Sequence, residues 1–170
     1  MDPTNTLVIC IEYAIGVAGF GGLIASVRGR PEDWTPLDRY RLANLLMFSF
    51  SGALLGFFSL YMLHLVDAMH AHQITSVVVL ILLVFQYIFT QKLTGTLSEQ
   101  DTALIYNSRA LVLFSVTFAL LAGGLQIAGI AAFLPGYGFT IIFTGILYFL
   151  TFATFQFLRT LFTVHSKEDT

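Results

Sequence analysis

Few side chains in this sequence can do chemistry, and they fall into three groups. The first is YMLHLVDAMHAHQ, residues 61–73, which holds His64, Asp67, His70 and His72 beside Met62 and Met69. Imidazole suits zinc, copper, iron or nickel, and thioether sulfur suits Cu(I). If a helix runs on through this stretch, His64 and Asp67 share one face. These four residues are the candidate metal ligands. Against that reading, the ligand spacing follows no strict motif, with neither HExxH nor CxxC present. Histidines at a membrane surface also serve as plain polar residues, or titrate near neutrality and sense pH. A haem site wants paired histidines inside a bundle, and His64 has no obvious partner, since His165 belongs to the opposite side.

The second group consists of polar residues inside apolar runs: Glu12, Gln86, Gln126 and Gln156. Ionisable groups within a bilayer are costly, so each is a functional candidate. Glu12 either lines a path for a cation or proton, or is hydrated near the surface or bonded to a neighbouring helix. The three glutamines either line a pore or join helices, since side-chain amides hydrogen-bond across helices in lipid. Asn44, Ser49, Ser51, Ser115 and Thr117 invite the same two readings.

The third group is SVRGRPEDWTPLDRYR, residues 26–41, with Arg28, Arg30, Trp34, Arg39 and Arg41. It reads as the hinge and interfacial anchor between two membrane helices, or as a docking site for an anion, a lipid headgroup or a partner. Thr35-Pro36-Leu37-Asp38 predicts a helix start: a capping hydroxyl, proline at the first position, and an acid in the first turn. Arg39 and Arg41 then stand at headgroup depth, with Trp34 and Tyr40 as interfacial rings.

These residues need elements to hold them, and composition says of what kind. The 170 residues are 56% hydrophobic and only 11% charged, with 17 phenylalanines. An ordinary soluble domain carries about 25% charged residues. So much apolar surface finds a solvent only in lipid. A helix needs about 20 apolar residues to span hydrocarbon. Five runs qualify: 7–26, 42–65, 74–90, 110–134 and 139–162. None alternates in polarity as a barrel strand does. The predicted fold is all-α, a single transmembrane domain of five helices over residues 1–170.

All eight lysines and arginines fall in one set of loops: Arg28, Arg30, Arg39, Arg41, Lys92, Arg109, Arg159 and Lys167. The positive-inside rule makes that side cytoplasmic, in a plasma or bacterial inner membrane. The N-terminus is then outside and the C-terminus inside. MDPTNT lacks the basic region of a signal peptide, so the first run is read as retained.

A parallel duplication of a two-helix hairpin is one reading of two matched segments. NLLMFSFSGALLG and ALVLFSVTFALLA align at a spacing of 66, and FQYIFT resembles FQFLRT. Coincidence in apolar sequence is the other reading. Small residues recur at Ala14, Ala18 and Gly22, at Gly52 and Gly56, and in AGGLQIAGIAA, as close helix packing requires. They predict association within or between chains.

The net charge of −2 gives no basic field for nucleic acid. No nucleophile–base set appears, and GFGGL at 19–23 lacks the βαβ surroundings of a nucleotide fingerprint. The expectation is therefore non-enzymatic, with no cofactor indicated. It is a small multi-pass channel or transporter-type subunit for an ion or small solute, homo-oligomeric, with the lipid bilayer and its own copies as partners. The alternatives are an accessory or scaffold subunit of a membrane complex, and, further off, a metal- or haem-binding protein.

Overall fold

The structure, a computed structural model, describes residues 2–27, 34–106, 109–131, 133–134 and 136–165. Among these the chain forms helices and turns, with six helices in order: α1 Pro3–Val27, α2 Pro36–Leu65, α3 Ala68–Thr94, α4 Glu99–Tyr106, α5 Arg109–Ile130 and α6 Gly138–His165. Five of them are long and apolar enough to cross a membrane; α4 is a short helix between α3 and α5.

The cap at Thr35 acts where the sequence placed it. Thr35 and Asp38 form a reciprocal capping box at the start of α2, with Pro36 following the cap. Ser98 and Asp101 bond to one another at the start of α4. The boundaries of α3 differ from expectation. It begins at Ala68, not near residue 74, because Asp67 caps it by accepting from the His70 backbone N–H at 3.1 Å. The expected outer loop VDAMHAHQ is thus a turn at Val66 and Asp67 followed by helix. In the same way α1 starts at Pro3, and α5 stops at Ile130 instead of 134.

Side-chain bonds between helices set their direction. Thr90 near the end of α3 meets Asn44 near the start of α2, and Gln73 near the start of α3 meets the Ile130 carbonyl at the end of α5. Gln126 of α5 donates to the Ile141 carbonyl at the start of α6. Consecutive spans are therefore antiparallel. α2 packs on α3 and α6, α5 packs on the same two, and α3 packs on α6. Exchanging the α2–α3 pair for α5–α6 leaves that scheme unchanged, as a parallel duplicated hairpin would. α1 lies outside the scheme, against α2 and α6.

The core is aromatic and aliphatic. Phe48, Tyr148, Phe149 and Phe152 make a ring cluster joining α2 to α6, extended to α5 by Phe118. Such ring pairs contribute about 0.5–1.5 kcal/mol each beyond area burial. Glycine permits the close approaches. At Gly56 a side chain would collide with Ile11 of α1, and at Gly52 it would press on Leu150 of α6.

The Asp67 carboxylate is held below the ordinary aspartate range, first by the His70 backbone N–H and then by the His70 ring, whose Nδ1 lies 2.5 Å from Oδ2. A depressed acid stabilises the fold fully above its unfolded value and loses that contribution as pH falls through its folded one. Asp67→Ala should therefore flatten the loss of thermal stability on acidification below the ordinary aspartate range. Melting temperatures in detergent between neutral pH and pH ~3 would show this; an unchanged acid slope would contradict it.

Candidate functional site

Among the described residues, two of the cavities lie along the α3–α5–α6 interface, toward opposite ends. The first, of about 280 Å³, lies at the end that carries the arginines. Its polar wall is Asn44 of α2, Gln86 and Thr90 of α3, and Gln156 and Arg159 of α6. Its apolar wall includes Phe48, Tyr148, Phe152 and Phe155, and Ile105 of α4 closes one side. The second, of about 300 Å³, lies at the other end and is lined by His72, Gln73 and Ser76 of α3, Gly129 of α5 and Phe139 of α6, among others.

Buried side chains separate them. Val79, Ala122, Gln126 and Ile146 are fully buried there, with Gly145 at the centre. A Cβ on Gly145 would strike Val79 of α3 and crowd the Gln126 amide of α5. Three helices converge on that glycine.

The amides at the arginine end form a directed network. Asn44 Nδ2 donates to the Tyr40 carbonyl at 3.0 Å. Asn44 Oδ1 therefore accepts, from the Thr90 hydroxyl at 2.9 Å and from Gln86 Nε2 at 3.3 Å. Gln86 Oε1 remains buried with no partner among the described residues, as does Gln156 Oε1. At the dividing layer, Gln126 Nε2 donates to the Ile141 carbonyl at 2.7 Å, and its Oε1 too is left open. Arg159 bonds the Leu104 carbonyl at 3.1 Å and lies 5.5 Å from the centre of the Phe155 ring.

Of the polar-lining candidates, Gln86 and Gln156 thus meet in one cavity, and Gln126 sits in the layer above it. Glu12 is elsewhere, exposed on α1 and facing away from the bundle. Its depth is also new. Ile11 packs beside Gly56, the Tyr13 hydroxyl bonds Thr154 at 2.7 Å, and Gly52 abuts Leu150. Glu12 therefore lies level with the middle of α2 and α6.

The histidine group does not assemble. α2 ends at Leu65, so His64 and Asp67 share no helical face. His64 and His70 are exposed, whereas His72 packs against Gly138 at the rim of the second cavity. No three of His, Cys, Asp or Glu among the described residues come together as metal ligands.

In the basic segment, Arg28 and Arg30 lie outside the described residues. Arg39 is exposed, as an anchor would be, but Tyr40 and Arg41 turn inward and are buried. Trp34 is half-buried, with its indole N–H enclosed. Sequence reasoning passed over Ser76, Thr90 and Gly145, and counted Arg159 only among the cations of one side. Only Arg159 carried a signal, a cation one turn from Gln156 inside an apolar run.

Five apolar helices packed side by side, with polar groups satisfied from helix to helix, define a multi-pass α-helical membrane protein. Comparison with family models, characterised proteins and solved structures returns no match.

The amide network should be worth measurable stability. Asn44→Leu removes the acceptor shared by Thr90 and Gln86 and should cost about 1–2 kcal/mol. Unfolding of the wild type and the variant in the same detergent would measure it; equal stability would show the network to be idle.

Proposed function

We propose that the protein is a transporter-type subunit that passes a small solute between its two cavities. The observation that carries this reading is their arrangement. Each cavity reaches the same three-helix interface from one end, and buried side chains around Gly145 lie between them. Ligand sites in membrane bundles commonly lie between packed repeats near mid-membrane, and parallel repeats occur in some transporter folds. By the positive-inside rule, the amide cavity opens toward the cytoplasm of a plasma or bacterial inner membrane, with the N-terminus outside. The route lies within one protomer; no pore between subunits is needed for it.

Copies of the chain associate, in this reading, through α1. Glu12 stands at mid-depth on a face shared with Gly16 and Gly19, and a Cβ added at either glycine would meet nothing within 4 Å. An ionisable group at that depth almost always faces protein or water. A second α1 crossing at the glycines would cover it and supply polar partners.

Two measurements test these readings. Proteoliposomes challenged with glycerol, urea, K⁺ and Cl⁻ should pass at least one of them well above protein-free liposomes. Ala119→Trp, which fills the amide cavity, and Gly145→Val, which wedges the dividing layer, should each lower that flux about tenfold, roughly 1.4 kcal/mol in barrier. Protein-free rates across the whole panel would refute transport. For association, Gly16→Leu and Glu12→Leu should shift the protein to monomer in cross-linking or native mass measurements. Glu12→Gln should retain the oligomer, since an amide also bonds across helices; a monomeric wild type would end this part of the reading.

A further inference from the structure

The amide cavity has an apolar body, a charged end and an open side. Along α6, Tyr148, Phe152, Gln156 and Arg159 line it on successive turns. A rise of about 1.5 Å per residue sets Arg159 roughly 16 Å beyond Tyr148 along the helix. The rings, backed by Phe48 of α2, therefore come first and the guanidinium last.

The open side lies between α3 and α5. At the far end Gln73 fastens α3 to the Ile130 carbonyl of α5. Nearer the arginines, Tyr87 of α3 and Val116 of α5 both line the cavity, yet they are 67% and 51% exposed. Side chains that line a cavity and also stand exposed mark its mouth. Both lie within apolar spans, Tyr87 seven residues before Thr94 and Val116 seven residues after Arg109. Seven residues of helix is roughly 10 Å. The mouth thus faces lipid, within the leaflet on the arginine side.

The chemistry offered inside is that of donors. The Thr90 hydroxyl is given to Asn44, and the oxygens of Gln86 and Gln156 are enclosed. Gln156 is 8% exposed, and with its Oε1 shut in, the amide NH2 is the end left to the space. Arg159 can only donate, and it brings a positive charge. No Asp or Glu stands among the described lining residues.

A cation is repelled by Arg159, and a neutral amphiphile leaves its charge unused. A small anion dissolved in water gains nothing from the rings. A molecule with an anionic head and an apolar chain uses both, and a mouth in the membrane meets lipid first. Basic pockets between membrane helices bind anionic headgroups. At about 280 Å³ the space is small for a whole ligand of drug size, so it suits part of a lipid, the rest staying in the bilayer. We propose that the groove holds one acyl chain of an anionic phospholipid, with its phosphate at Arg159 and Gln156. This does not rest on the transport reading. Where solute also passes, the chain occupies its route, and the lipid is an inhibitor.

The test is to titrate purified full-length protein in detergent with phosphatidylglycerol or phosphatidylcholine of identical chains, counting bound lipids by native mass spectrometry. Both lipids offer the same chain, but choline sets a cation near Arg159. The wild type should hold its first phosphatidylglycerol about tenfold more tightly than phosphatidylcholine. Arg159→Gln should bring the two within about threefold of each other. That variant also gives up the Leu104 bond, so a second one carries the test independently. Val116→Trp fills the mouth from an exposed position; it should weaken phosphatidylglycerol about tenfold at an unchanged melting temperature. Lys92→Gln removes an exposed cation that does not line the cavity, and it should leave the preference as in the wild type. Equal binding of the two lipids by the wild type, a preference that outlives both cavity variants, or one lost equally in Lys92→Gln would each overturn the proposal. So would displacement by glycerol phosphate, a head without chains, because the anion alone would then be recognised. Selective lipid binding without solute flux would leave the lipid site standing and remove transport; flux without lipid preference would do the reverse.

Discussion

A polar group placed in hydrocarbon has only protein to bond with, and this bundle is organised by that constraint. One backbone carbonyl, that of Tyr40, sets the orientation of Asn44. Asn44 draws Thr90 and Gln86 onto α2. Gln73 and Gln126 fasten α5 to α3 and α6 through backbone carbonyls, and Tyr13 fastens α1 to α6. Each bond carries little energy in the membrane, since the separated helices also find partners. Their larger effect is on register, because a helix that slides or turns by one residue strands a donor in lipid.

The same constraint explains why the arrangement contains voids. Lipid does not press helices together as water presses apolar cores, so helices approach closely only where residues are small. Gly52, Gly56 and Gly145 mark such places, and each touches a side chain of another helix. Between them the bulk of Phe48, Tyr148 and Phe152 holds α2, α5 and α6 apart, and space remains around the amides. The cavities are thus what is left between a tight contact at Gly145 and wide contacts toward either end.

Much of the fold was legible in the sequence. Five spans, with their number and order, follow from hydropathy alone. The cap at Thr35 is legible too, because capping is a local bond between residues three apart. The site was legible only in its parts. Gln86 and Gln156 stand out as amides in apolar runs, but nothing in their spacing says that they face one cavity while Glu12 faces outward. The histidine group is close in sequence but does not assemble, because the turn at Val66 separates His64 from Asp67, and His72 packs against Gly138 while His70 pairs with Asp67.

The sequence by itself determined the solvent of this chain, because twenty-residue apolar runs are a property of the string. Only the tertiary structure decided which polar atoms are satisfied and which stay open. That outcome depends on helix rotation and on packing between residues far apart in the chain, such as Asn44 with Thr90 or Gly145 with Val79 and Gln126. It also decided the depth of Glu12, because α1 packs with Ile11 at Gly56, a level set by steric fit and not by its hydropathy.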